Sequence, residues 1–427
     1  MSLLEMLESR ESWERFYEYK TSLVSGAGDG KELRRFIDRE AYLPVCRNIA
    51  EGKPFPLPGK AVISKMDSAK KRIVYIYPEP ENTVLKMLTW LLLRKYDSLF
   101  SGNLFSFRPG RSAKDAIRLL RTVPGMRELY SYKADISNYF NSVPVSFFVP
   151  VLEEALADDP ALFQFLKGLL EAKGPETEEM EAEGPAAEER GIMAGTPLSA
   201  FYANLYLMDL DRQFEEAQIP YARYSDDMIL FAKTREETVR YAELLRTFLR
   251  EHGLRLNPEK EELHSPEEGW TFLGFSYRDG IIDIAPASLK KIKAKMRRKT
   301  RALQRWAKRN GAAPEKAAAA FIRVFNRKLL GVNGNSAAGK GPKLSDAGQE
   351  FPDDPGVKNE LTWSRWFFSV INTDRSLREI DHYAQDCIRY LLSGTRTKAR
   401  FNVRYGDIRS LGCRSLVHAY YETQEEQ

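Results

Sequence analysis

The sequence predicts an α+β protein in which a mixed helix-and-strand region is followed by an all-helical one. Over about the first two-thirds of the chain, short apolar runs alternate with turn residues and with helical patterns, which is typical of strands joined by hairpins and helices. After Pro286 apolar residues recur mainly at helical spacing. A length of 427 residues is too great for one ordinary domain and favours two or three packed units.

The composition is that of a globular protein. Hydrophobic residues make up 43% and charged residues 29% of the chain. No apolar run approaches the ~18 residues that a membrane helix needs, and the Glu-rich N-terminus lacks the layout of a signal peptide. We therefore expect a cytoplasmic protein without a membrane partner. The three cysteines and four histidines have no spacing typical of a disulfide framework or a zinc site.

The first region is predicted to begin with helices and a β-hairpin. Residues 1–60 are interpreted as helix followed by a Pro/Gly-rich connector, and strands 61–65 and 72–78 flank a polar turn. A helix is expected over 82–100, then a basic loop at 105–112 and another helix. The predicted elements that follow are strand 130–140, helix 145–172, helix 197–215, strands at 220–233, helix 235–253, a strand with a turn at 254–263 and a hairpin at 270–284.

The last region is predicted to be helical, with an interruption. A helix is expected over about 288–309, where residues 290–309 carry eleven Lys or Arg and no acid. Residues 331–362 are rich in Gly, Pro, Asn and Asp and are interpreted as a loop. Helices are expected again over about 363–371 and 375–392.

Three aspartates stand where strands end, and their pattern indicates a metal site. Asp226 and Asp227 are adjacent in the turn between two apolar strands, and Asp135 follows another apolar strand. Adjacent carboxylates repel each other, although a plain polar hairpin turn is an alternative explanation for this pair. A divalent cation would remove the repulsion, because hard oxygen ligands suit Mg²⁺. Such a set can hold two ions about 3.5–4 Å apart for phosphoryl transfer.

These aspartates lie in segments that resemble the motifs of reverse transcriptases. Residues 224–227 (YSDD) resemble the Y-x-D-D box, and residues 135–140 resemble the first palm motif, D-x-x-x-[FY]-F. The segment 191–211 resembles the G-x-x-x-G-x-P-x-S-x-x-x-A-N-x-Y-L box of this family. Three further segments resemble family motifs, in family order: FSFRPGRSAKDAI (105–117), LNPEK (256–260) and FLG (272–274).

The resemblance spans about residues 60–285 and implies a right-hand polymerase fold. Fingers are expected at 1–125, a palm with an antiparallel sheet at 126–285, and a helical thumb at 286–427. The acidic segment 173–190 would be an insertion in the palm, and a channel gate, a partner contact or a plain insertion each explain it. Eight Glu and one Lys lie within 171–189.

The resemblance also implies the catalytic residues. Asp135, Asp226 and Asp227 would hold two Mg²⁺ ions, with Mn²⁺ able to substitute, and Ile136 would belong to the same metal site. Lys260 matches the lysine proposed in such polymerases to protonate the leaving pyrophosphate. A surface lysine is the alternative interpretation of Lys260.

Contacts to the incoming dNTP are implied in the same way. Phe140 falls at the steric-gate position, where its ring would crowd a 2′-hydroxyl, although a core aromatic is the alternative. Lys65 and Arg72 flank the fingers hairpin, with Lys71 beside them, and would clamp the triphosphate unless they form a solvated basic turn. The rest of the expected substrate-binding set is Ala194, Gly195 and Tyr224.

Nucleic-acid contacts are expected in the fingers and the thumb. The loop at 105–112 would hold template phosphates, with a solvated surface loop as the alternative. The FLG box would hold the primer end, with packing in the hydrophobic core as the alternative. The basic helix would lie along the phosphate backbone of a duplex, with a solvated helix face as the alternative. The residues expected to contact nucleic acid are Arg108, Arg111, Phe272, Leu273, Gly274, Lys291, Lys295 and Arg298.

The sequence departs from the family in the segment 191–211, which we call the palm box. Met193, Ala194 and Ala200 stand where Pro, Gln and Pro are usual. The Gln normally lies near the nucleotide and template, so its loss raises the question of whether copying is templated.

The predicted function is that of an RNA-directed DNA polymerase that extends a primer with dNTPs. Its expected partners are an RNA template and a DNA product, with a non-coding RNA or a second protein subunit as further candidates. The compact chain most resembles prokaryotic enzymes of the group II intron and retron lineage, and antiviral defence is the expected biology. The alternatives are a template-independent or protein-primed DNA synthase on the same fold, and a non-catalytic nucleic-acid-binding subunit.

Overall fold

The structure is a computed structural model that describes residues 2–23, 27–64, 71–172, 191–331 and 363–425. Lys65 and the acidic segment 173–190 lie outside the described residues. The chain divides into two compact units. The first comprises Met1–Thr21 and Asp29–Glu268, and the second comprises Ser22–Gly28 and Gly269–Gln427. The finer division into fingers, palm and thumb stays a prediction.

The first unit begins with helices and the expected hairpin. Strands β1 (Gly59–Ser64) and β2 (Lys71–Ile76) pair antiparallel, within two residues of the predicted bounds. The hairpin is followed by α5 (Glu81–Lys95), which buries a dense apolar face including Leu88 and Leu92. The preceding helices are α1 (Leu3–Met6), α2 (Arg10–Leu23), α3 (Ala27–Asp38) and α4 (Leu43–Ala50).

A four-stranded antiparallel sheet forms the centre of the first unit, in the order β4-β5-β3-β6. Apolar side chains of its strands join one hydrophobic core with the surrounding helices. Its strands are β3 (Tyr130–Asp135), β4 (Tyr221–Tyr224), β5 (Asp227–Ala232) and β6 (Glu262–His264). The helices around it are α6 (Ala113–Thr122), α7 (Tyr139–Ser142), α8 (Val145–Ala155), α9 (Pro160–Glu171), α10 (Ser199–Tyr206), α11 (Met208–Glu216) and α12 (Arg235–Glu251).

Several predicted elements of the first unit differ in the structure: strand 130–140 ends at Asp135, and helix 197–215 is the two helices α10 and α11. The predicted helix 145–172 is two helices, because Asp159 caps α9 by accepting from Leu162 N–H and Pro160 occupies the first position of that helix. The strand with a turn that is predicted at 254–263 is a turn followed by a strand of only three residues. Pro258 cannot donate to a strand ladder, and Pro258–Lys260 form a 3₁₀ turn before the short β6.

The second unit contains a three-stranded antiparallel sheet and helices. Strands β7 (Trp270–Phe272), β8 (Phe275–Arg278) and β9 (Ile281–Ile284) replace the single predicted hairpin at 270–284 with two successive ones. Its long basic helix is α13 (Pro286–Arg309). The remaining helices are α14 (Pro314–Phe325), a π-helical turn (Asn326–Leu330), α15 (Trp363–Phe368), α16 (Arg375–Ser393), α17 (Ala399–Asn402), α18 (Tyr405–Ser410) and α19 (Leu416–Glu425).

The predicted α+β class with antiparallel sheets is therefore confirmed. None of the helices in the described part of the chain combines the length and the apolar character needed to cross a membrane.

Candidate active site

Three aspartates meet at one end of the central sheet. Asp135, the last residue of β3, is the register partner of Asp227, the first residue of β5. Asp226 lies in the adjoining turn, and the Ile136 N–H donates to the Asp226 carbonyl at 3.2 Å. Asp135 is buried and Asp226 and Asp227 are half-buried. The antiparallel pairing of β3 and β5 thus brings together carboxylates that are about 90 residues apart in the sequence.

The charge at this end of the sheet is unbalanced. Burial, followed by the negative charges of Asp226 and Asp135, raises the pKa of Asp227 to about 6, while Lys260 and Lys133 act in the opposite direction. Hard carboxylate oxygens that repel each other in a partly buried site are the donor chemistry that suits Mg²⁺. Across the described ranges, however, no group of three or more His, Cys, Asp or Glu side chains is gathered as a ready-made metal site.

Lys260 lies directly beside the carboxylates. Its Nζ is 2.6 Å from Asp135 Oδ2, and the lysine side chain remains 48% exposed. The neighbouring turn fixes this position, because the Asn257 N–H donates to the Asp135 carbonyl at 2.8 Å and the Asn257 side chain accepts from Glu259 N–H. The lysine predicted from the LNPEK box is thus brought to the aspartates across a gap of 125 residues.

The turn that carries Asp226 is held by a polar network. Ser225 adopts a left-handed conformation (φ 61°), and its N–H donates to Ser106 Oγ at 2.9 Å. Ser106 and the fully buried Asn204 exchange two hydrogen bonds, at 3.0 and 2.8 Å. The 105–117 loop and the 191–211 box therefore support the turn together. Tyr224 is half-buried, and burial raises the pKa of its hydroxyl.

A buried ion pair beneath this turn was missed by sequence reasoning. Arg223 is completely buried and donates from Nε to Asp211 Oδ1 at 2.7 Å and from Nη2 to Asp211 Oδ2 at 2.5 Å. Tyr221 donates to the same carboxylate. Arg223 also donates to the backbone carbonyl of Ser225 at 3.4 Å. The signal in the sequence was a single arginine within the otherwise apolar strand β4.

The palm box packs against the motif that contains Asp135. The Ile192 N–H donates to the Phe140 carbonyl at 2.8 Å, and a Cβ at Gly191 would lie only 2.4 Å from that carbonyl oxygen. The Phe140 ring is half-buried and makes an edge contact with Tyr139 at 5.6 Å. Phe140 therefore combines partial packing against the core with partial exposure.

The same box supports the fingers hairpin. The Tyr75 N–H of β2 donates to the Ala194 carbonyl at 2.7 Å. Gly195 has φ 97°, and a Cβ there would lie 2.9 Å from Val74 Cβ. The structure thus brings Ala194 and Gly195 against the hairpin that carries Lys71 and Arg72. Those two residues lie on β2, but their side chains, like Lys65, are outside the described part of the structure.

Arg108 holds the loop at 105–112 against the preceding residues 97–104. Its guanidinium donates to both Asp97 carboxylate oxygens and to the carbonyls of Asp97, Ser101 and Leu104, which uses all five of its N–H groups. Arg108 is 8% exposed. This arrangement leaves it no donor for a template phosphate and corrects that expectation. Arg111 is half-buried and donates to the Gly102 carbonyl at 2.6 Å.

The remaining predicted residues lie in the second unit. Phe272 is buried, Leu273 is half-buried with φ 50°, and Gly274 has φ 89°. The predicted core alternative therefore holds for Phe272. On α13, Lys291, Lys295 and Arg298 are exposed. The opposite side of α13 buries Leu289, Ile292 and Met296.

The sequence pattern of the family described as "Reverse transcriptase (RNA-dependent DNA polymerase)" matches residues 63–277, half of the chain. No curated protein matches the sequence. Similar solved structures include apo telomerase from Candida tropicalis truncated from its C-terminal domain, with a TM-score of 0.41, 12% identity, and coverage of 53% of this chain and 55% of that one. Telomerase from Candida albicans in complex with a TWJ fragment of telomeric RNA has a TM-score of 0.39, 10% identity, and coverage of 88% and 68%.

The chain spans about half the length of the Candida tropicalis telomerases that it resembles, 55% of one and 48% of another. The family match covers the paired aspartates, the palm box and the antiparallel central sheet. It confirms the right-hand polymerase fold that the motifs predicted. The chain belongs to the reverse transcriptase family, whose members are RNA-dependent DNA polymerases and thus nucleotidyltransferases.

Proposed function

We propose that this chain extends a primer with dNTPs at the site formed by Asp135, Asp226 and Asp227, copying an RNA template. The observation that carries the proposal is the register pairing of Asp135 with Asp227, with Asp226 in the adjoining turn. These three residues, with Ile136 beside them, would hold two Mg²⁺ ions, or Mn²⁺ in their place. When bound, such an ion pair activates a primer 3′-hydroxyl and neutralises charge on the leaving pyrophosphate.

The protein's own groups do the rest of the work in this proposal. Lys260 has its ammonium group beside Asp135 and would donate a proton to the leaving pyrophosphate. Phe140 presents a half-buried ring next to the palm box and would crowd a 2′-hydroxyl. Ala194, Gly195 and Tyr224 would line the nucleotide site, and the basic residues Lys65, Lys71 and Arg72 would hold the triphosphate.

Nucleic acid would be held by exposed cations and by the residues around the FLG box. Lys291, Lys295 and Arg298 project from a helix with no acid in its basic stretch, so binding would weaken with salt. Leu273 and Gly274 would support the primer end, and Arg111 keeps a role at the template. Arg108 is left out of this set because all its N–H groups donate to acceptors in residues 97–104.

The experiment is primer extension with purified chain, Mg²⁺, dNTPs and a defined RNA template, followed by sequencing of the product. We expect DNA complementary to the template from the unaltered chain and none from Asp226→Ala/Asp227→Ala. Product of unrelated sequence, formed equally without template, would favour the template-independent or protein-primed synthase, for which Ala194 in place of Gln is the motivating observation. Unchanged biological function in the double variant would favour the non-catalytic binding subunit.

We further propose that the chain belongs to the group II intron and retron lineage and acts in prokaryotic antiviral defence. The support is the motif resemblance, and the work would take place in the cytoplasm with a non-coding RNA or a second subunit. The test is phage challenge of bacteria expressing the chain with its native flanking genes. Protection that disappears in Asp226→Ala/Asp227→Ala supports the proposal, and equal plaque counts with and without the intact genes would contradict it.

A further inference from the structure

A pocket of about 530 Å³ lies entirely within the second unit. Aromatic rings of α14 and α15 form much of its wall; the rings are those of Phe321, Phe325, Trp363, Trp366 and Phe367. Both tryptophans are half-buried, so each ring is partly within the protein and partly open to a ligand. The volume is in the range of small-molecule sites, about 300–1,000 Å³.

Four lysines also line this pocket. Lys291, Lys295 and Lys299 follow one face of α13 at intervals of one helical turn, about 6 Å along the axis. Lys328 lines the pocket from the π-helical turn. Among the described residues, no carboxylate lies within ion-pair distance of Lys291, Lys295 or Lys328. At Lys291, Lys295 and Lys328 the wall therefore carries positive charges that no described carboxylate pairs.

The positive charges around the pocket repel one another. Burial, together with the positive charges of Lys328 and Arg327, lowers the pKa of Lys299. A bound anion would relieve this repulsion, and a row of cations matches several phosphates along a strand better than one isolated headgroup. The aromatic rings beside the row match flat, apolar faces, and every nucleobase has such a face.

We propose that this pocket binds an unstacked nucleotide of single-stranded nucleic acid, with its base against Trp366 and its flanking phosphates along Lys291 and Lys295. Leu273 and Gly274 of the FLG box line the same pocket, so the strand would pass beside the residues assigned to the primer end. The source of that strand rests on the proposed polymerase function. The pocket chemistry itself does not, because it involves neither the aspartates nor a metal ion.

The test is fluorescence anisotropy of a labelled single-stranded oligodeoxynucleotide with the full chain, in EDTA and without dNTPs. A matched oligonucleotide with abasic sites keeps the phosphates and removes the bases. We expect Trp366→Ala to weaken binding of the normal strand by about tenfold and to leave abasic binding unchanged. Trp366→Phe, which keeps a ring, should retain most of the preference for bases.

A second comparison tests the phosphate contacts with two double variants that each remove two positive charges. Lys291→Gln/Lys295→Gln should weaken binding of both oligonucleotides about tenfold or more at low salt. Lys290→Gln/Arg297→Gln is the control, because these exposed residues do not line the pocket and lie on another face of α13. Equal losses from the two pairs would overturn the proposal, as would equal affinity of the unaltered chain for normal and abasic strands.

Phosphatidylglycerol vesicles test whether the pocket binds a lipid instead of a nucleic acid. Vesicle binding that Trp366→Ala abolishes, with oligonucleotide affinity unchanged, would assign the pocket to an acyl chain and overturn the inference. The polymerase proposal fails separately. A chain that makes no DNA but shows the base-dependent difference keeps the pocket, whereas a chain that makes DNA but shows no such difference loses it.

Discussion

The ammonium nitrogen of Lys260 lies 2.6 Å from Oδ2 of Asp135, although 125 residues separate the two in the chain. The contact joins a half-exposed cation to a carboxylate that is 7% exposed. It places the predicted proton donor beside a predicted metal ligand, so the two proposed roles belong to one site.

Replacing Lys260 separates proton donation from charge. Lys260→Ala should slow DNA synthesis by about 10²–10⁴-fold, the usual contribution of general acid catalysis. Lys260→Arg keeps the positive charge but cannot release a proton at ordinary pH, so it should remain slow. The measurement is single-turnover primer extension, with the exposed Lys233→Ala at the far end of β5 as control. Full rescue by arginine would mean that Lys260 only positions Asp135.

Asp227 should make the metal-free protein less stable as pH rises through the weakly acidic range. Its pKa is raised to about 6, mainly by burial and then by Asp226 and Asp135, from an ordinary value of 3.8. The folded chain therefore holds a proton that the unfolded chain has lost between these values, and stability falls as pH increases from about 4 to 6. Asp227→Asn should remove this fall and stabilise the chain at pH 8 by roughly 1–3 kcal/mol.

Thermal unfolding in EDTA at pH 5 and pH 8 measures this effect. Adding Mg²⁺ should stabilise the unaltered chain at pH 8 more than at pH 5, and Asp227→Asn should reduce that gain. The repulsion account fails if Asp227→Asn has the same melting temperature as the unaltered chain at pH 8 in EDTA.

Gly195 should be needed for the nucleotide site because it touches the fingers hairpin. In Gly195→Ala the new Cβ would lie 2.9 Å from Val74 Cβ at a φ of 97°, so the hairpin must move or the backbone must strain. We expect KM for dNTP to rise several-fold and stability to fall by about 1–3 kcal/mol. Gly110→Ala is the matched control, since Gly110 also has a positive φ (69°) but no atom within 4 Å of the added Cβ. Equal KM values for the two variants would contradict the hairpin contact.

Phe140 should set the preference for deoxynucleotides. Its half-buried ring packs against Tyr139 and leaves an edge exposed. Phe140→Ala removes that edge and should raise the ratio of ribonucleotide to deoxynucleotide incorporation by tenfold or more, the effect of about 1.4 kcal/mol or more. Competing GTP and dGTP in primer extension gives the ratio directly. Phe140→Tyr, which keeps the ring, should stay close to the unaltered chain; an unchanged ratio in the alanine variant would place Phe140 in the core only.

The Arg223–Asp211 pair should be costly to break from one side. Arg223→Met leaves the Asp211 carboxylate buried without its main partner, at a cost of about 3–5 kcal/mol. Arg223→Met/Asp211→Leu removes both charges and should recover much of that loss. Urea unfolding measures the difference, with the exposed pair Arg15–Glu11 as control, where Arg15→Ala should cost less than about 1 kcal/mol. A double variant as unstable as the single one would show that packing, not charge, sets the cost.

Local patterns in the sequence determined the chemistry and most of the elements. Period-2 and period-3.6 spacing gave the fingers hairpin, the central strands and the basic helix, because these patterns report which face is buried. The Y-S-D-D turn, the first palm motif and LNPEK identified Asp135, Asp226, Asp227 and Lys260, since residue types and order are properties of the chain alone. The helix break at Asp159-Pro160 was missed, although Asp followed by Pro is typical of a helix start.

Only the tertiary structure decided which partners these residues have. Strand register set Asp135 opposite Asp227, and the fold placed Lys260 on Asp135, Arg223 on Asp211 and all five donors of Arg108 on the preceding residues 97–104. The local sequence around Arg108 is equally compatible with a solvated loop, a phosphate contact or a buried arginine that holds the backbone. Burial and long-range pairing separate them, because the free energy of a charge depends on what surrounds it in space and not on its neighbours in sequence.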